Sequence, residues 1–197
     1  MLFRSRSKQY SLGLGLLTLA HDMLGRNHFA ALVQPELERI AQAYGATATA
    51  VELDGRERMV VVAVAQAPTI VQIQVGVGSR FPAYISATGR CVAARSGLDR
   101  AHLKQRFAAL KWHAAPSFDA WMREVEAAGR DGHAIDRGNY IGGITIVAAL
   151  VGDEGPAQRA ISIVAVSEQL GARQLASLER DTREAAQRVS QRLRGLR

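Results

Sequence analysis

A chain of 197 residues with 48% hydrophobic residues, 22% charged residues and five prolines can bury its own core, and it falls outside the disordered, collagen-like and low-complexity classes. Its formal charge of +7 sits at the ends: residues 1–8 carry Arg4, Arg6 and Lys8 without an acid, residues 173–197 carry seven arginines against Glu179, Asp181 and Glu184, and the body between sums to zero, which gives a polyanion little to hold. One cysteine, Cys91, excludes an internal disulfide, no Cys and His cluster has metal-ligand spacing, and no apolar run approaches the roughly 20 residues of a membrane helix, so a cytoplasmic protein with no metal, cofactor or membrane partner is expected.

The basic start followed by residues 12–19 imitates a secretory signal, but Gly13 and Gly15 interrupt the run. Leu12, Leu16, Leu19, Ala20 and Met23 share one helical face, which predicts an amphipathic helix over 10–24 whose leucine stripe needs a partner, hence a homodimer or tetramer. A second helix starts at Asn27, with Leu32, Leu37, Ile40, Ala41 and Tyr44 recurring at threes and fours until Gly45, so two helices are expected before any strand. The period then changes to two over 47–53 and 58–65, joined through Asp54 and Gly55 as a hairpin, and Pro68 opens a third strand over 69–75. Residues 76–80 lack the third glycine of a dinucleotide fingerprint and read as a loop.

Ser86 is placed to cap a short helix over 86–96 closed by Gly97, and further helices are predicted over 99–110 and 117–128. Residues 131–136 read as a short strand or turn, and 144–151 and 159–166 as a second hairpin. A final helix over 172–193 puts Leu175, Leu178, Thr182, Ala185, Val189 and Leu193 on one stripe and arginines opposite. The order describes one α+β domain, an antiparallel sheet flanked by helices, over residues 26–197 with an arm over 1–25.

Catalytic signals are weak. His21, His28, His102, His113 and His133 are scattered, none in a nucleophile context, and Cys91 lies in a helix where a free cysteine acts as a small hydrophobe. Trp112, Phe118 and Trp121 read as core packing. The segment 82–94 differs, because it brings a capped helix start to a strand-rich region, where the free amides of Ala87, Thr88 and Gly89 and the helix dipole suit a small carboxylate.

Tyr10-Ser11-Leu12-Gly13, then Gly78-Ser79-Arg80-Phe81-Pro82 running into Ser86-Ala87-Thr88-Gly89-Arg90, resemble blocks of the IclR family of bacterial transcription regulators. Gly132-His133-Ala134-Ile135-Asp136, Gly143 with 144–149, and Ala160-Ile161-Ser162-Ile163 continue the likeness in order, over residues 10–195. The resemblance implies a GAF-like effector-binding domain with an N-terminal linker helix, in dimers or tetramers that reach operator DNA through a winged helix-turn-helix. That element is not found in this sequence, where residues 1–8 would be a wing remnant and 1–25 wing remnant and linker helix; no sequence-specific DNA binding is expected of this chain alone.

Carried over position by position, the family's pocket implies Ala87, Thr88 and Gly89 at the helix start, Asp136 as an acidic position that accepts from a ligand hydroxyl or water, Ile146 as a wall, and Ser162 and Val164 on a strand, with Ile73 and Ile144 as added apolar wall. Apolar Ile146 and Val164 depart from what very small keto acids need and point to a larger or less polar organic acid, such as an aromatic one. The expected function is an effector-sensing domain without enzymatic activity; the competing reading is a stand-alone binding protein or an enzyme acting on a small carboxylic acid through Cys91 or a histidine.

Overall fold

The structure, a computed structural model, describes residues 2–4, 10–12, 28–69, 73–152 and 159–195. Strand β1 (Leu2–Arg4) pairs antiparallel with β2 (Tyr10–Leu12), Phe3 opposite Ser11. A strand therefore precedes the first described helix, and the helix expected over 10–24 does not begin at Tyr10, because residues 10–12 are taken up in the ladder. Its remaining residues, and with them the leucine stripe behind the expected self-association, lie outside the described residues.

Helix α1 (His28–Tyr44) ends where Gly45 takes a φ of +61°. Strands β3 (Thr47–Leu53), β4 (Arg58–Gln66), β5 (Arg80–Pro82), β6 (His133–Arg137), β7 (Ile144–Val151) and β8 (Arg159–Val166) form one antiparallel sheet in the order β5-β4-β3-β8-β7-β6. Between β5 and β6 run α2 (Ser86–Ala94), α3 (Arg100–Ala108) and α4 (Phe118–Asp131); α5 (Ala172–Arg194) follows β8. Asp99 and Ser117 start α3 and α4 by accepting from the amides of His102 and Ala120.

Period-two alternation gives the sheet two cores. Val147, Ala149, Ile161 and Ile163 face α1 and α5, meeting Val33, Leu37, Ile40, Leu178 and Val189; Ile146, Ala148, Leu150, Ala160 and Val164 face α2 and α4. Strand β4 breaks the alternation. Ala50 pairs with Ala63 but Val51 with Val61, so Val62 is a bulge residue. Ala63 and Ala65 consequently face α1 while Met59 and Val61 face α2, although all four are odd-numbered and buried.

Of the segment expected as a third strand over 69–75, residues 70–72 lie outside the described residues. Among its described residues none is in a strand; the outer edge of β4 is instead occupied by Gly78 and Ser79, with Gly78 N–H donating to Val61 O at 2.8 Å and Val61 N–H to Ser79 O at 2.9 Å, and then by β5. Ile73 is held across the sheet face, its carbonyl accepting from Thr47 Oγ1 at 2.9 Å and Gln66 Nε2 at 3.2 Å.

Helices α1 and α5 are locked by Glu36, whose carboxylate accepts from Arg188 Nε and Nη2, both at 2.9 Å, and from Arg39 Nε at 3.3 Å. These bonds, Arg188 first, hold the Glu36 pKa below its ordinary 4.5. A carboxylate depressed on folding stabilises the protein above its unfolded pKa, and that contribution disappears as pH falls through the folded value. The thermal midpoint should therefore fall below about pH 4.5, and Glu36→Gln should be less stable at pH 7 but lose less on acidification; parallel pH profiles of the two proteins would contradict this.

Candidate functional site

Beneath the start of α2 the structure encloses an apolar cavity of about 70 Å³. Its floor comes from cross-strand neighbours: Thr49 lies opposite Ser162 between β3 and β8, and Val164 opposite Ile146 between β8 and β7. The β4 bulge brings Met59 to the same face. Ile73, Val75 and Phe81 close one side, Tyr140 and Ile141 of the β6–β7 turn the other, and Ile85, Ser86 and Thr88 form the end at the helix start. Ile141, 42% exposed, stands at the mouth.

The start of α2 differs from the expected cap. Ile85 is the N-cap residue and offers no side-chain bond, while Ser86 lies inside the first turn with a φ of +61°. Gly89 N–H already donates to Ile85 O at 2.8 Å, so the amides left without an intrahelical acceptor are those of Ser86, Ala87 and Thr88, and Gly89 is not a free donor. The glycine serves packing instead: a Cβ there would lie 2.0 Å from Tyr84 C and 2.3 Å from Tyr84 O.

Polarity is sparse: the Ser86 and Thr88 hydroxyls lie at the helix start, and that of Ser162 lies on the floor opposite Thr49. Ser86, Thr88 and Ser162 are 5%, 3% and 6% exposed, and among the described residues their hydroxyls have no hydrogen-bond partner in the protein. Thr49 Oγ1 donates to Ser162 O at 3.1 Å, which leaves the Ser162 side chain unused. Burial pushes the Tyr140 phenol up, so it is a neutral donor in ordinary conditions. No lysine or arginine is among the described residues lining the cavity.

The structure thus brings Ile73, Thr88, Ile146, Ser162 and Val164 to one cavity. Ile144 packs against the same core without lining it, and Ala87 is buried in the helix wall. Asp136 is elsewhere: fully buried, its Oδ2 accepts from Arg90 Nη1 at 2.8 Å and its Oδ1 from Tyr140 N at 3.1 Å. Arg90, equally buried, also reaches Glu124 through Nε at 2.5 Å and Asn139 through Nη2 at 3.1 Å. Both oxygens of Asp136 already have protein donors, so it ties α2 to the turn carrying Tyr140 instead of facing the cavity as an acceptor. Sequence reasoning missed Arg90; its signal is an arginine inside an otherwise apolar helix, which requires a buried acid.

Cys91 is fully buried, its thiol pushed up to about 12 by burial and directed at Ala148 O at 3.6 Å, which suits a packing residue and not a nucleophile. Among the described residues no group of three or more His, Cys, Asp and Glu can hold a metal ion, and no helix is long and apolar enough to cross a membrane. His21 lies outside the described residues. A larger cleft of about 380 Å³ runs beside β6, but exposed charges, Glu124, Asp131 and Arg137, line it.

Residues 21–191 match the family model described as bacterial transcriptional regulator IclR C-terminal. The Pca regulon regulatory protein of Pseudomonas putida is 31% identical over 132 residues, 64% of this chain and 45% of that protein, so the match spans less than half the length of this curated relative. The crystal structure of an IclR transcriptional regulator from Alicyclobacillus acidocaldarius shares the fold with a TM-score of 0.80 at 24% identity, over 96% of this chain and 78% of that one. An IclR homologue from Microbacterium hydrocarbonoxydans, crystallised with 4-hydroxybenzoate, gives a TM-score of 0.78 at 20% identity over 98% of this chain and 80% of its own.

Proposed function

This chain belongs to the IclR family of bacterial transcriptional regulators, whose C-terminal domain it carries, and on that premise we propose that the apolar cavity takes a small aromatic monocarboxylic acid as effector. The observation that carries this reading is the lining of the cavity: the unpartnered hydroxyls of Ser86 and Thr88 and the first amides of α2 at one end, the Ser162 hydroxyl on the floor, and apolar side chains over most of the rest. The volume of about 70 Å³ is about half that of an apolar cavity of about 150 Å³ that takes benzene, so a ring enters only as side chains at the mouth, Tyr140 and Ile141, move aside. The carboxylate sits at the helix start, where unpaired amides favour an anion, and the ring lies between Ile73, Ile146 and Val164. The 4-hydroxybenzoate bound by the Microbacterium relative supports the same ligand class.

Charge limits the ligand further. A second carboxylate would be desolvated against Met59, Val75 and Phe81 with no cation to meet it, so dicarboxylates are disfavoured. Glyoxylate-sized acids leave the apolar floor unfilled. Effector occupancy is read out as altered operator binding through the family's winged helix-turn-helix, in a dimer or tetramer.

Calorimetric titration with benzoate, 4-hydroxybenzoate, adipate and glyoxylate tests the reading: the two aromatic acids should bind, the other two at least tenfold more weakly. Tighter adipate binding would refute it. Ser162→Ala should weaken the aromatic acids by roughly two- to twelvefold, the worth of one hydrogen bond of about 0.5–1.5 kcal/mol, with the thermal midpoint of the unliganded protein nearly unchanged. An unaltered Kd would remove Ser162 from the site.

A further inference from the structure

Two non-glycine residues among those described have positive φ, and they differ in setting. Glu57, at +55°, is exposed in the β3–β4 turn, where its carboxylate pairs with Arg106. Ser86, at +61°, is 95% buried, begins α2 and lines the cavity with a hydroxyl that finds no partner in the protein. The left-handed conformation costs an L-residue on the order of 1–2 kcal/mol and a glycine almost nothing. The Ser86 hydroxyl keeps an edge open to the cavity, since it is not among the described polar atoms that are both fully buried and unpartnered. The backbone cost would vanish with glycine at this position, and no bond that Ser86 makes within the chain recovers it.

Resting on the reading of the cavity as an effector site, we infer that Ser86 is a ligand-binding residue that selects for a carboxylate, its hydroxyl donating to one carboxylate oxygen while its left-handed backbone aims it there. The conformation places the side chain inside the first turn of the helix, beside the amides of Ala87 and Thr88 and on the same cavity end as the Thr88 hydroxyl, which is 97% buried and also unpartnered. A carboxylate offers acceptor sites for all of these donors at once, whereas an ester or amide of the same acid keeps the ring contacts but loses the charge that strengthens each bond. The strain at Ser86 is thus stability given up for recognition, as is common where a side chain is held in an unfavourable backbone region at a binding site.

The test compares wild type, Ser86→Ala and Ser86→Gly by titration with benzoate and with methyl benzoate, alongside thermal melts of the unliganded proteins. Both variants should lose about tenfold or more in benzoate affinity and less than about threefold for the ester. Ser86→Gly should also melt about 2–4 °C higher than wild type, because the strain is gone. Unchanged benzoate affinity in both variants, or equal losses for acid and ester, overturns the inference while leaving the cavity as effector site. A lower melting point for Ser86→Gly overturns the claim that strain is retained for binding. Failure of wild type to bind either probe sinks the proposed function itself, and the inference with it.

Discussion

Gly89→Ala should leave little folded protein, or a protein destabilised by about 3 kcal/mol or more, the upper range for overpacking a core. The added methyl would meet two backbone atoms, Tyr84 C at 2.0 Å and Tyr84 O at 2.3 Å, so no side-chain rotation relieves the clash. The start of α2 would have to move away from residues 82–85, carrying Ser86 and Thr88 with it. Urea denaturation measures the loss, and whatever folds should bind aromatic acids poorly. A variant with wild-type midpoint and affinity would show that this contact relaxes freely, and the rigid helix start assumed for the site would be wrong.

Asp136→Ala should cost about 3–5 kcal/mol, because it strands the fully buried Arg90 guanidinium with only Glu124, itself 46% exposed, as a charged partner. The paired change Arg90→Met with Asp136→Leu should recover much of that loss, since removing both charges leaves nothing unpaired. Equilibrium denaturation of the two single variants and the double variant gives the coupling directly. Were Asp136 instead an acceptor for a ligand hydroxyl, its replacement would weaken hydroxylated acids selectively and hardly affect stability. Loss of stability in Asp136→Ala together with equal effects on benzoate and 4-hydroxybenzoate is the expected pattern.

Where the sequence carries a simple period, it foretells the structure closely. Strands 144–151 and 159–166 have the bounds expected of them, because an alternating run closed by turns admits one register. Gly45 ends α1, and Asp99 and Ser117 begin α3 and α4, because each does locally what its side chain or its lack of one permits. The bulge at Val62 was not legible: nothing in the run 58–66 marks one residue to be skipped, and the skip decides that Met59 faces the cavity while Ala63 does not. Of the strand expected over 69–75, residues 70–72 lie outside the described residues and the others are not in a strand, while Gly78 and Ser79 hold the edge of β4 beside Val61.

The site was half legible. Thr88, Ser162, Ile146, Val164 and Ile73 meet at one cavity because family likeness supplied positions that the strand register then joined. Ser86 has the residue type of a cap and the position of one, and only its φ of +61° distinguishes a first-turn residue facing a cavity from a capping one. Asp136 rests on family likeness alone; in the structure its oxygens accept from Arg90, 46 positions earlier, and from the Tyr140 amide, and it does not line the cavity.

A crystal structure of the protein with 4-hydroxybenzoate tests the central claim most directly. The account predicts the ring between Ile73, Ile146 and Val164, with the carboxylate within hydrogen-bonding distance of the Thr88 amide and of the Ser162 hydroxyl. A ligand seated instead in the charged cleft beside Glu124 and Arg137, or one whose carboxylate points towards Met59 and Phe81, would contradict it.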